Sequence, residues 1–278
     1  MDVFGVTDLI AQTQLNYVWG EQDAPSVRNA NLPASLIYHR LTAARTHECG
    51  FLYAVADNAA SQNRSWCMLQ LLCAYAAIHK CSIYYHVLLQ GHTKAQHTAC
   101  FGLIKRALKK RAVYTPQEYM QLVDDSSHVN KAVDVARDVA IKDLASSLSR
   151  FFKKVRSISL KSNRHFYFDK DHPGTMRFRQ TARDNWQEVV LFKDGTSAAS
   201  LSPTIFTADA MPLPRAVLSQ KRHSQLKGLK DKFFTGVEDK REAFYKEPTP
   251  SELAQCPISL ASDPDLPDFA SANVATVQ

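Results

Sequence analysis

The chain has 278 residues, 45% of them hydrophobic and 22% charged, a composition that excludes fibrous, collagenous and wholly disordered proteins. Lys and Arg outnumber Asp and Glu by 34 to 27, the net charge is +7 and the isoelectric point is near 9.1, all of which suits a polyanionic partner. The longest apolar stretch, 66–78, is broken by Gln70 and falls short of the roughly 20 residues a membrane span needs.

Residues 1–50 carry Val6, Leu9, Ile10 and Leu15 near helical spacing, and Pro25 and Pro33 bracket a loop, which predicts a helical, slightly acidic scaffold. No basic segment followed by an apolar run opens the chain, so no export signal or membrane partner is expected and the setting is cytoplasmic. Cys49, Cys67, Cys73, Cys81, Cys100 and Cys256 are sparse for this length and read as reduced thiols there. Next come an apolar run at 51–56, a turn after Asp57, a helix over 62–80 and a second run at 82–89. That order and length predict a βαβ unit, with strands buried on both faces.

From 93 to 113 the pattern is amphipathic. Cys100, Phe101, Ile104 and Leu108 share one face, and Lys105, Arg106, Lys109, Lys110 and Arg111 crowd another. Thr115 and Pro116 then offer an N-cap and a first helical residue for a short helix ending at Asp124 and Asp125. Val129, Val133, Ala136, Ala140, Leu144, Leu148, Phe151, Val155 and Ile158 step by three or four. They predict one long amphipathic helix over 127–157, a rod of about 45 Å at 1.5 Å per residue. After Asn163 the period becomes two. Residues 164–168, 175–179 and 186–192, separated by turn residues, predict a three-stranded antiparallel meander. Residues 196–214 read as a loop, and 217–234 as a basic, partly helical stretch. From 248 onward there are five prolines and neither Lys nor Arg, which predicts a disordered acidic tail. The fold class expected is mixed α+β, with a helix-rich N-terminal two-thirds. Its parts are a mainly helical domain over 1–160, the meander with its basic segment over 161–246, and the tail over 247–278.

Charge is concentrated. Residues 101–165 hold 14 basic and 6 acidic side chains, whereas 1–60 hold 3 and 6. Two clusters stand out: Lys105, Arg106, Lys109, Lys110 and Arg111 on one helix, then Arg150, Lys153, Lys154, Arg156, Lys161 and Arg164 leading into the meander. Several cations along one surface are what phosphate binding needs, because each contact releases condensed counterions. A third run holds Arg215, Lys221, Arg222, Lys227, Lys230 and Lys232. In the meander Arg164, Arg177 and Arg179 interleave with His165, Phe166, Tyr167, Phe168 and Phe178, the mixture with which single-stranded nucleic acid is held. The phenylalanines fit a core as well as a platform.

The leading expectation is therefore a non-enzymatic nucleic-acid-binding subunit of a nucleoprotein assembly, for RNA or single-stranded DNA, with protein partners and no cofactor. One rival is a metal-independent endoribonuclease using His165 or His172 as acid and base. Another is an adaptor whose basic face meets acidic proteins. His86, His92, His97 and Cys100 lie within 15 residues and could ligate a metal, but no C-x-x-C pair supports them. No G-x-x-x-x-G-K-[ST], G-x-G-x-x-G or G-x-S-x-G motif occurs, which disfavours nucleotide hydrolysis and serine-hydrolase chemistry.

Overall fold

The computed structural model describes residues 1–20, 30–44, 50–57, 63–89, 96–212, 217–233, 245 and 247–255, with 96–98 and 233 placed by their backbone alone. The chain is mixed α and β. It divides into two compact units, 1–216 and 217–278. Among the described residues no helix is long and apolar enough to cross a membrane.

The first unit opens with strands β1 (Asp2–Asp8) and β2 (Thr13–Trp19), an antiparallel hairpin where a helix was expected. Asp8 makes the turn, its Oδ1 accepting the backbone N–H groups of Ile10 and Ala11 at 2.9 Å each. Leu9 and Ile10, which gave the helical spacing, stand exposed in that turn. Helix α1 (Asn31–Ala43) follows, then strand β3 (Phe51–Ala56), helix α2 (Trp66–His79) and strand β4 (Ser82–Val87). These last three form the expected βαβ unit, β3 and β4 pairing in parallel from Phe51↔Ser82 to Ala56↔Val87. Ser65 caps α2 by accepting the Met68 N–H, and Lys80 ends it in the left-handed conformation with φ of 52°. Every residue from Cys67 to Ala76 is buried.

Helix α3 (Gln96–Leu108) carries the first basic cluster, and helix α4 (Pro116–Asp125) begins in a capping box formed by Thr115 and Glu118. The predicted long helix over 127–157 does not form. Strand β5 (Asn130–Asp134) occupies its start and pairs in parallel with β2, completing a three-stranded sheet in the order β1-β2-β5. Two short helices follow, α5 (Val135–Asp138) and α6 (Leu144–Ser149), each with an aspartate at its N-cap, Asp134 and Asp143. Those aspartates are better partners for free N–H groups than members of a continuous helix, and Val129, Val133 and Val139 favour extended backbone.

Strands β6 (His165–Phe168), β7 (Thr175–Arg179) and β8 (Gln187–Val190) make the expected meander. It does not stand apart, because β6 pairs antiparallel with β4 and gives a five-stranded sheet in the order β3-β4-β6-β7-β8. Strand β3 is thus an edge, and its outer face is exposed rather than buried. Leu52, Ala54, Ile83, Tyr85, Val87, Phe166, Phe168, Met176 and Phe178 point to the other face. There they pack with α2, with Leu144 and Leu148 of α6, and with Ile205 and Phe206 of a 3-10 turn. Smaller cores join Tyr17 and Trp19 to α1 and α5, and Ile104 to Leu122 and Val123. Phe101 of α3 lies so close over Gly5 that a Cβ there would stand 2.6 Å from its ring, and this seats the basic helix against β1.

In the second unit, helix α7 (Gln220–Phe233) and helix α8 (Pro250–Gln255) are joined by a bond from Gln220 Nε2 to the Leu253 carbonyl, 3.1 Å. Lys227 and Lys230 approach Glu247 at 3.1 and 3.6 Å. Helix α8 lies within the stretch expected to be a disordered tail, and 256–278 fall outside the described residues.

Candidate nucleic-acid interface

Strand alternation sends every second residue of the five-stranded sheet to the face turned away from α2, and pairing register aligns them in rows. One row reads Tyr53, Tyr84, Tyr167, Arg177, Glu188 across all five strands. The next reads Val55, His86, His165, Arg179. Tyr53 and Tyr84 stack with ring centroids 5.2 Å apart and planes 16° apart, and Tyr53 is 56% exposed. Trp186, just before β8, turns its edge to Tyr84 at 6.0 Å and lies 6.3 Å from Tyr167, while the Arg179 guanidinium sits 4.2 Å from its ring centre. Phe51, Val55 and Val190 extend the exposed apolar surface.

The second row holds two imidazoles and one guanidinium. His86 and His165 stack at 4.3 Å and 14°, and the Tyr84 hydroxyl lies 2.8 Å from His165 Nδ1. Burial, then the neighbouring His86, Arg179 and Arg164, push His165 down to about 4, so it is neutral near pH 7. His86 is lowered too, by burial and then by Arg164. In the first row Arg177 is neutralised by Glu188 at 2.9 Å.

The chain can now be placed. A family model described as "Domain of unknown function (DUF7869)" matches residues 3–184. The chain belongs to this family. No curated protein and no solved structure matches it. The DUF7869 match takes in both rows from β3 to β7, whereas Trp186 and β8 lie beyond it.

The structure distributes the residues singled out from sequence as follows. Lys105, Arg106, Lys109, Lys110 and Arg111 are all exposed on or just after α3, and Arg111 pairs with Asp125 at 3.2 Å. Arg150, Lys153, Lys154, Arg156 and Lys161 are exposed along the connection from α6 to β6, with Arg150 3.8 Å from Asp209. These two clusters ride on different elements, α3 against the three-stranded sheet and the connection beside the five-stranded one. Arg177 and Arg179 lie on the aromatic face, and Arg164 stands just before β6 at the end of the second row, where its charge acts on His86 and His165. Phe166, Phe168 and Phe178 do not lie on that face, since all are buried in the core. His172 sits in the turn after β6, 3.1 Å from Asp169, at the far end of that strand from His165. Among the described residues no group of three or more His, Cys, Asp or Glu could hold a metal. His86 lies on β4 and Cys100 is buried in α3, while His92 and the His97 side chain fall outside the described residues.

Tyr53, Tyr84 and Trp186 were not singled out from sequence. Alternation of Phe51, Tyr53 and Val55 with Leu52, Ala54 and Ala56 was the available signal, masked because small and large apolar residues read alike as one continuous run.

Proposed function

We propose that this protein binds single-stranded nucleic acid on the outer face of its five-stranded sheet, as a subunit of a nucleoprotein assembly in a reducing, cytoplasmic setting. The observation that carries the reading is the row of Tyr53, Tyr84 and Tyr167, exposed at Tyr53 and half-buried at the other two, with Trp186 and Arg179 beside it. Aromatic rings held open on a pleated sheet accept bases by stacking, at about 1–3 kcal/mol per base, and adjacent cations follow the phosphates. Arg164, Lys161, Lys154 and Lys153, on the chain leading into β6, are candidates to supply such cations. The α3 cluster adds long-range attraction. The free, buried thiols Cys67, Cys73 and Cys100 are compatible with the reducing compartment.

A salt titration tests this, with labelled single-stranded RNA, single-stranded DNA and duplex DNA. Binding to single strands should exceed binding to duplex, and log affinity should fall with log salt by about 0.7 per phosphate engaged. Tyr53→Ala with Trp186→Ala should weaken single-strand binding while leaving that slope nearly unchanged. Lys105→Ala, Lys109→Ala and Lys110→Ala together should flatten the slope by about two. Absence of binding to any single strand at low salt, or wild-type affinity in the aromatic variant, overturns the reading.

A further inference from the structure

We propose that the second row, His86, His165 and Arg179, together with Arg164, is a subsite for one backbone phosphodiester of the bound strand. The proposal rests on the stacking face as the strand's platform and assigns the position of a single phosphate on it.

The argument is a local shortage of acceptors. Arg179 stands in the second row beside the two stacked imidazoles, and Arg164, just before β6, acts on both of them and on Arg64 just before α2. Their mutual influence is repulsive: Arg64 is pushed down by burial and then by Arg164, and Arg164 acts in the same sense on both histidines. The carboxylate that acts on His165 is Asp184. It offsets part of the charge there, but its Oδ2 already accepts the Thr181 N–H at 2.8 Å. Asp57 accepts from Asn63 Nδ2 at 2.5 Å and acts on Tyr85 on the opposite face.

The guanidiniums find little else. Arg64 donates to the Lys161 carbonyl, and Arg179 reaches the Asp184 carbonyl only at 3.4 Å. The Nε atoms of Arg64 and Arg179 are shielded from water and meet no acceptor. Among the described residues, no carboxylate lies within ion-pair distance of Arg164 or Arg179. Buried donors left in this condition are costly, and an anion is the group that relieves several at once.

The geometry suits a phosphodiester. The 2.8 Å contact between the Tyr84 hydroxyl and His165 Nδ1 admits the tautomer in which Tyr84 donates and Nε2 carries the imidazole proton. The subsite requires that form, with Nε2–H donating to a phosphate oxygen. Arg179 stands in register beside it on β7, and its guanidinium also lies over Trp186. A base stacked along Tyr53, Tyr84 and Trp186 and a phosphate held one row away would then be served by adjacent rows of one sheet. Neighbouring residues on the same face of a strand are about 7 Å apart, close to the spacing of successive groups along an extended nucleotide strand.

The experiment is a walk of single methylphosphonate linkages, each removing one negative charge, along a short oligouridylate or oligothymidylate bound to the full chain. One linkage should stand out with about a tenfold loss of affinity. In Arg164→Gln and in His165→Gln that loss should shrink below about twofold, whereas Tyr53→Ala should lower all affinities and preserve the position effect. His165 is 7% exposed and its replacement can disturb the sheet; Arg164, more exposed and outside the strand, serves as the second variant. Alongside, inorganic phosphate is titrated while the His86 and His165 imidazole resonances are followed by NMR. Binding of the oligomer with every linkage equally sensitive overturns the subsite and leaves the platform standing. Phosphate-induced shifts that vanish in Arg164→Gln, without any oligomer binding, support the subsite and overturn the platform. Neither response overturns both.

Discussion

Alanine at Phe166 and alanine at Tyr53 should have opposite consequences, because the two residues face opposite sides of one sheet. Phe166 is 0% exposed and belongs to the core beneath α2, whereas Tyr53 is 56% exposed on the outer face. Emptying the Phe166 position removes a whole aromatic ring from close packing and should cost about 3–5 kcal/mol of stability. Tyr53→Ala loses a half-solvated stack on Tyr84, worth about 1 kcal/mol or less. In binding the order reverses: Tyr53→Ala should cost about 1–3 kcal/mol, roughly 5- to 150-fold in Kd, through the loss of one stacked base. Urea denaturation followed by circular dichroism reads the first quantity. Fluorescence anisotropy of a labelled single strand, at a urea-free salt concentration where both variants are folded, reads the second. A Tyr53→Ala protein as unstable as Phe166→Ala would show that the face is covered in solution. One that keeps both its stability and its affinity within twofold would remove the platform from the argument.

Gly174 and Gly195 both have positive φ, 81° and 79°, but a Cβ on Gly174 would lie 2.1 Å from the Phe192 ring while Gly195 has open space around it. Gly174→Ala should therefore cost about 2–5 kcal/mol, from the left-handed backbone plus displacement of a core ring, against about 1 kcal/mol for Gly195→Ala; equal Tm losses would refute the packing. His165 titrates near 4 in the folded chain and near 6.5 when unfolded, so the unfolded chain binds the extra proton first. Stability present above about pH 7 should fall by about 1–3 kcal/mol as pH drops toward 4, and His165→Gln should lack that increment. Identical pH slopes in the two proteins would contradict it. Truncation after Lys246 removes Glu247, which pairs with Lys227 and Lys230. Nucleic-acid affinity should rise or stay unchanged, and a marked loss would refute shielding of that basic run by the acidic segment.

The elements that were legible in sequence are those whose signals are local. Thr115, Pro116 and Glu118 cap α4 within four residues, and the meander declares itself through Phe166, Phe168, Met176 and Phe178 at period two. The long-helix error has its cause in a pairing partner far away in sequence. Asn130–Asp134 is a strand because β2, more than 110 residues earlier, offers a parallel edge from Gln14 to Val18. Its valines fit a helical spacing equally well, so periodicity could not decide. The N-terminal hairpin was missed for a local reason, since Leu9 and Ile10 counted toward a helical spacing while Asp8 was using its carboxylate to make a turn.

The candidate site was half legible for the same physical reason. Arg164, His165, Arg177 and Arg179 could be assigned to alternate faces of a hairpin from sequence, but not to a face that stays open. That depends on β4 pairing with β6, which brings Tyr84 and His86 into register with Tyr167 and His165 across more than 75 residues of chain. Charge counting found the cationic clusters and could not see that α3 and the α6–β6 connection lie against different sheets. The open face is itself the strongest physical statement the fold makes about function. A five-stranded sheet covered by helices on one side leaves Phe51, Tyr53, Val55, Trp186 and Val190 substantially in water on the other. Large apolar side chains left in water beside charged ones on one sheet face suit a ligand with both flat rings and charge. A protein partner would be expected to bury such a surface within a polar rim of mixed charge. Here the central rows hold two imidazoles and two arginines, only one of them neutralised by a carboxylate of its own sheet, and that imbalance favours a polyanion with flat rings.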